Sequence, residues 1–178
     1  DYRLPAGHNR RMARLRYNPI RNIVIRHILM QHTDKLTAPS QALCDAHQVN
    51  DLPGFERVHN GIDPLAFTAS QSQIEALRER LELEGKKVIL FAGRLTRPKG
   101  TIQLLDALQQ VVADVPEAVV LVLSSIPIDQ QITDSKYDTL KANHLKSGGW
   151  LDGSELAAAF HLADLIVSPS IILESFGM

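Results

Sequence analysis

Two apolar patterns alternate along the later two thirds of this chain: unbroken apolar runs, and apolar residues recurring every three or four positions. The apolar runs within 87–92 and 118–124 read as strands buried on both faces, and "DLIVSPS" (164–170) as a strand stopped at Pro169. Between them, Ile102, Leu105, Leu108 and Val112 mark one face of a helix that Pro116 stops. Leu156 and Phe160 mark the packed face of another helix over 155–163. Ser72 and Glu75 form a capping box before Ile74, Leu77 and Leu81, with Gly85 suited to the position just past that helix. Upstream, Ile20, Ile23, Val24 and Ile28 predict a helix over 20–31 after Pro19, "KLTA" (35–38) a short strand, and Ser40 the cap of a helix running through Ala46. "DLPGF" (51–55) has the Pro-Gly chemistry of a turn. A domain boundary is predicted there, with 1–54 closing one domain and its linker and 55–178 forming a second. Strand alternating with helix implies an α/β fold with a parallel sheet, whose ligands sit at the carboxyl ends of the strands.

Composition narrows the function classes. With 178 residues, 44% apolar and 22% charged, the chain is globular and long enough for one domain plus part of another. A net charge of −1 argues against nucleic acid as a partner, since neutralising many phosphates needs a basic surplus. The charge is uneven, however: residues 1–26 hold seven arginines against Asp1 and carry +6, leaving −7 for the remainder. That basic segment, with Ile23, Val24 and Ile28, could lie on anionic lipid at the inner membrane face; a solvated helix face is the plainer alternative. A lone cysteine, Cys44, cannot form an internal disulfide, which fits a cytoplasmic location. No apolar run is long enough for a membrane span. The chain opens on Asp1 and closes on Met178 directly after "ESFG", so it reads as a fragment.

Chemistry gathers after two of the predicted strands. Gly93, Arg94 and Lys99 follow Ala92; Ser168, Pro169 and Ser170 follow Val167, and then come Glu174, Ser175, Phe176 and Gly177. Two cations beside backbone N–H groups at a helix start suit a diphosphate, which spreads negative charge over several oxygens. The alternative is that Arg94 and Lys99 are ordinary solvated loop charges. The loop is neither a Walker A sequence nor a G-x-G-x-x-G turn. No Asp-x-Asp and no His or Cys spacing suits a metal site. Ser40, Ser168 and Ser170 lack the G-x-S-x-G setting of a hydrolase nucleophile and read as caps and strand ends.

"HNGIDPLAF" (59–67), "FAGRLTRPKG" (91–100), "ELAAAFHLADLIVSPS" (155–170) and "ESFGM" (174–178) occur in an order and spacing that resemble the group 1 family of retaining, nucleotide-sugar-dependent glycosyltransferases of GT-B fold. The resemblance implies two Rossmann-like domains, here the tail of the N-terminal one and the first part of the C-terminal donor-binding one. It implies transfer of a hexose from a nucleoside-diphosphate sugar to a glycan, lipid or small-molecule acceptor, with retention of configuration. Arg94 and Lys99 would contact the donor diphosphate, Glu174 the donor sugar, and the backbone of Ser175, Phe176 and Gly177 the phosphates, with Gly93 in the same loop. Fixed cations aimed at the departing diphosphate would replace a metal, so neither metal nor cofactor is expected. The second glutamate of the family's motif would fall at position 182, beyond Met178. Two segments depart from the family pattern: "SSIPIDQQ" stands where a Gly-rich turn is usual, and "HLKSGGW" is weak as the strand expected before Trp150. Asn60-Gly61 would shape the way into the donor domain, and Tyr2, Arg3 and His8 are candidates for an acceptor cleft. Taken alone, the 178-residue chain is expected to be inactive and to self-associate through uncovered Ile166, Ile171 and Phe176. The competing reading is a non-catalytic nucleotide-sugar-binding or scaffolding module of the same fold.

Overall fold

The structure, a computed structural model, describes residues 19–49, 52 and 54–172. The chain separates into two compact units, with the division between Gly61 and Ile62. The first holds helix α1 (Pro19–His32), strand β1 (Leu36–Ala38), helix α2 (Gln41–Val49) and strand β2 (Phe55–Arg57). Strands β1 and β2 pair in parallel, Leu36 opposite Phe55 and Ala38 opposite Arg57. The predicted boundary at 54/55 therefore precedes the division between the units: β2 begins at Phe55, just past that boundary, yet takes its ladder hydrogen bonds from β1. As anticipated, Ser40 caps α2, its hydroxyl accepting from the Leu43 N–H at 3.2 Å. Cys44 is buried on that helix.

The second unit begins with a 3-10 turn at Pro64–Phe67, capped by Asp63, whose carboxylate accepts from the Leu65 N–H at 3.0 Å. Helix α3 (Gln71–Arg80) follows, then β3 (Lys87–Ala92), α4 (Thr101–Asp114), β4 (Ala118–Leu123), the short α5 (Ile128–Gln131), α6 (Asp138–His144), β5 (Leu145–Gly149), α7 (Gly153–Leu162) and β6 (Leu165–Ile166). The sheet is wholly parallel, in the order β5-β4-β3-β6. Strand β4 is buried along its whole length, which accounts for its unbroken apolar run. One face of the sheet packs Val88, Leu90, Val119 and Leu121 against Leu77 of α3 and Ala158, Ala159 and Leu162 of α7. The other packs Phe91, Val120 and Val122 against Leu104, Leu105 and Leu108 of α4, Leu140 of α6 and Tyr137 just before it. Each fully buried Val or Leu contributes about 1.5–3 kcal/mol relative to exposure, so this double-sided core dominates the unit's stability.

Several local details differ from the sequence reading. The capping box of α3 is Ser70 with Gln73, two residues ahead of the predicted pair: Gln73 N–H donates to Ser70 Oγ at 3.3 Å, and Ser70 N–H to Gln73 Oε1 at 2.8 Å. Both pairs fit the motif; the earlier one adds helical hydrogen bonds without changing which residues face α7. The end of α3 does not use Gly85. Glu82 takes the left-handed conformation instead (φ 54°), with Glu82 N–H bonded to Glu79 O and Leu83 N–H to Arg78 O, both at 3.0 Å. This Schellman closure turns Leu83 into the core beside Leu77, and burial of that leucine outweighs the cost of a non-glycine at positive φ. On α4 the buried face is Thr101, Leu104, Leu105 and Leu108, leaving Ile102 exposed.

Strand β5 forms despite its weak signal. A Cβ on Gly148 would stand 2.5 Å from Leu123 Cδ2, so the glycine that weakens the strand's propensity makes room for a β4 leucine. The ladder shifts there, pairing Leu123 with Gly149. Strand β6 is shorter than the predicted 164–170: only Leu165 and Ile166 enter the ladder, extended by one bond from Val167 N–H to Leu90 O at 2.9 Å. Beyond it Pro169 has no N–H to donate. Ile166 and Ile171 are about half exposed; Phe176 lies outside the described residues.

Candidate functional site

Strands β4 and β6 flank β3 on opposite sides, so the strand order reverses between β3 and β6. In open α/β sheets the crevice at such a reversal, outside the carboxyl ends of the strands, is where ligands bind. The segment leaving β3 there is 93–100, and the segment leaving β6 is 167–172. The topology thus brings together two stretches more than sixty residues apart in sequence.

The 93–100 loop is held by its own backbone. Gly93, at φ 145°, donates its N–H to Leu123 O at 2.9 Å, extending the β3–β4 ladder by one residue. Thr96 N–H returns to Arg94 O at 2.9 Å. Leu95 is buried in the core with Phe91 and Leu104, anchoring the loop while its neighbour Arg94 stays exposed. A 3-10 turn over Arg97–Lys99 follows, in which Lys99 N–H donates to Thr96 O at 2.9 Å and Gly100 N–H to Arg97 O at 3.0 Å. Thr101, buried at the start of α4, donates its hydroxyl to Thr96 O at 2.9 Å and ties the helix to the loop. No acidic residue sits in the first turn of α4, so the positive end of that 14-residue helix is not neutralised locally.

The two loops meet through backbone. Ile171 N–H donates to Pro98 O at 3.0 Å. Gly100 sits at φ 74°, and a Cβ placed on it would fall 1.9 Å from Pro169 O and 2.6 Å from Pro169 C. Glycine is required twice over, by conformation and by contact. The structure thus brings Gly93, Arg94 and Lys99 to the edge of the crevice with Arg94 open to solvent and Lys99 half-buried. Glu174, Ser175, Phe176 and Gly177 lie outside the described residues, as do Tyr2, Arg3 and His8. Among the described residues, no group of three or more His, Cys, Asp or Glu is placed to hold a metal ion, and no helix is long and apolar enough to cross a membrane.

Two residues that the sequence reading did not single out hold the segments leading to the site, Asp164 at the amino end of β6 and Gln131 beside the 93–100 loop. Asp164, just before β6, accepts from the Val88 N–H at 2.8 Å, while its own N–H donates to Val88 O at 2.9 Å. Lys87 Nζ lies 3.4 Å from its other oxygen. The Val88 bond, above all, and then Lys87 hold this carboxyl below the usual aspartate range. Gln131, in "SSIPIDQQ", bonds the 93–100 loop through the Leu95 N–H. Neither has a sequence signal of its own, because both act on partners far away along the chain.

Comparison with known proteins defines the class. The profile of the group 1 glycosyl transferases matches residues 73–178, more than half of the chain, and the chain belongs to that family. It is 32% identical over 122 residues to a phosphatidyl-myo-inositol mannosyltransferase of Mycolicibacterium smegmatis, covering 68% of this chain and 29% of that protein. To an uncharacterised glycosyltransferase of Methanocaldococcus jannaschii it is 28% identical over 124 residues, 68% of this chain and 31% of the other. The chain therefore spans about a third of the length of these relatives. Among solved structures, Anabaena HepE in complex with UDP superposes with a TM-score of 0.75 at 21% identity, covering 92% of this chain and 46% of that one. Sucrose-phosphate synthase of Thermosynechococcus elongatus superposes with a TM-score of 0.65 at 20% identity, over 99% and 43%. The fold is α/β of the GT-B type.

Proposed function

We propose that this chain carries the donor side of a retaining hexosyltransferase that takes its sugar from a nucleoside-diphosphate donor without a metal ion. One observation supports this reading most: at the strand-order reversal, the loop bearing Arg94 and Lys99 is clasped to the loop after β6 by the Ile171–Pro98 bond and the Gly100–Pro169 contact. In this reading, Arg94 and Lys99 meet the diphosphate, joined by backbone N–H groups of Ser175, Phe176 and Gly177. Charge builds on the departing diphosphate as the glycosyl–oxygen bond breaks, and cations fixed beforehand stabilise that transition state more than the ground state. Glu174 holds a hydroxyl of the donor sugar. The acceptor is a glycan, a lipid or a small molecule. A lipid acceptor would suit peripheral attachment at the inner membrane face through the basic segment that ends at Arg26. HepE was crystallised with UDP and with UDP-glucose, which makes UDP-sugars the first donors to test.

The test is turnover of the full-length protein carrying Arg94→Ala or Lys99→Ala. Loss of a group that stabilises developing charge costs roughly 3 kcal/mol, so each variant should turn over about a hundredfold more slowly. Unchanged kinetics in both would remove the diphosphate assignment. Binding of the donor without any transfer would instead favour the scaffolding module.

A further inference from the structure

One side chain joins the loops that follow β3 and β4. Gln131 Oε1 accepts from the Leu95 N–H at 2.6 Å, and Gln131 Nε2 donates to Ile126 O at 2.6 Å. The same Nε2 lies 3.3 Å from Ser124 Oγ, which also accepts from the Ile126 N–H at 3.3 Å. A carboxamide suits this place because it presents an acceptor to one loop and a donor to the other. Leu95 is 2% exposed, so its N–H would be costly to leave unpaired, and it directly follows Arg94. The backbone around Arg94 is thus held at Gly93 by Leu123 O and at Leu95 by Gln131. Side chain and backbone share one frame there: fixing Leu95 fixes the direction in which Arg94 leaves the loop.

We infer that Gln131 is a positioning residue for donor binding, bracing the loop after β3 so that Arg94 is aimed at the diphosphate. The inference rests on the donor-site reading above. It also gives "SSIPIDQQ" a role: a loop without the expected Gly-rich turn carries a brace to its neighbour.

The experiment is a double-mutant cycle on the full-length protein. Affinity for a nucleoside diphosphate is measured by calorimetry, using whichever of UDP, GDP and ADP binds the unmodified protein most tightly. Gln131→Ala should weaken that affinity roughly tenfold, the worth of one well-placed hydrogen bond, and should speed amide hydrogen exchange at Leu95. In an Arg94→Ala background the same change should have almost no further effect, because Gln131 acts through Arg94. Equal losses in both backgrounds would reveal general loosening and overturn the inference, as would unchanged affinity in Gln131→Ala. If Arg94→Ala alone left affinity unchanged, the donor-site reading itself would fail, a separate outcome. Gln131→Met, which keeps the length of the side chain without its polar atoms, replaces Gln131→Ala should that variant not fold.

Discussion

At the scale of single residues, Gly100 separates conformational strain from contact. Its φ of 74° costs an L-residue about 1–2 kcal/mol, and its missing Cβ makes room for Pro169 O. Gly85 has a similar φ of 68° but open space where a Cβ would go. Gly85→Ala should therefore cost only the conformational part, about 1 kcal/mol. Gly100→Ala should cost at least twice as much, because the carbonyl it strikes is backbone, beside a segment tied down by the Ile171–Pro98 bond. Denaturant unfolding of both variants gives the comparison. Equal losses would show that the two loops approach less closely than described.

At the scale of elements, β6 is short, and Asp164 does much to attach it to β3. A carboxyl whose folded pKa is depressed contributes stability that is present above the unfolded value and lost as pH falls through the folded one. For Asp164 the contribution is present above the ordinary aspartate range and is lost as pH falls through that range and below it. The side chain is 44% exposed, so solvent screening keeps the effect small. Asp164→Asn retains an acceptor for the Val88 N–H but cannot titrate. The stability difference between wild type and variant should shrink on acidification from pH 6 to pH 3. A difference constant across that range would assign the Val88 bond no ionic character.

At the scale of the whole molecule, a family member of GT-B fold carries two cations at the strand-order reversal, and the reading proposed for it needs no divalent ion. Turnover of the full-length protein should survive exhaustive treatment with EDTA at an undiminished rate. A rate abolished by chelation and restored by magnesium or manganese would show that Arg94 and Lys99 do not suffice for the leaving diphosphate. The parallel sheet gives the cations their place: every strand points the same way, so the loops after β3 and β6 emerge at one edge.

How much of this was legible beforehand depends on how local the cause was. The apolar stretch that follows Lys87 declares a strand because one covered on both faces must be apolar where it is buried, and the predicted bounds 87–92 are those of β3. The first helix, Pro19–His32, and the cap at Ser40 were equally readable, since spacing and capping are short-range. Arg94 and Lys99 were picked out by their motif, and the family resemblance assigned their roles. Tertiary contacts decided the rest. Two capping boxes fit the start of α3, and burial of Leu83 rather than the position of a glycine set where it ends. The strand signal of "HLKSGGW" is weak, and Leu123 beside Gly148 supplies the reason for a glycine there. Gly100, Asp164 and Gln131 each meet a partner, Pro169, Val88 and Leu95 respectively, more than thirty residues away along the chain. A side chain's own periodicity and propensity carry no record of such a partner, because the bond exists only once the sheet has set the loops side by side.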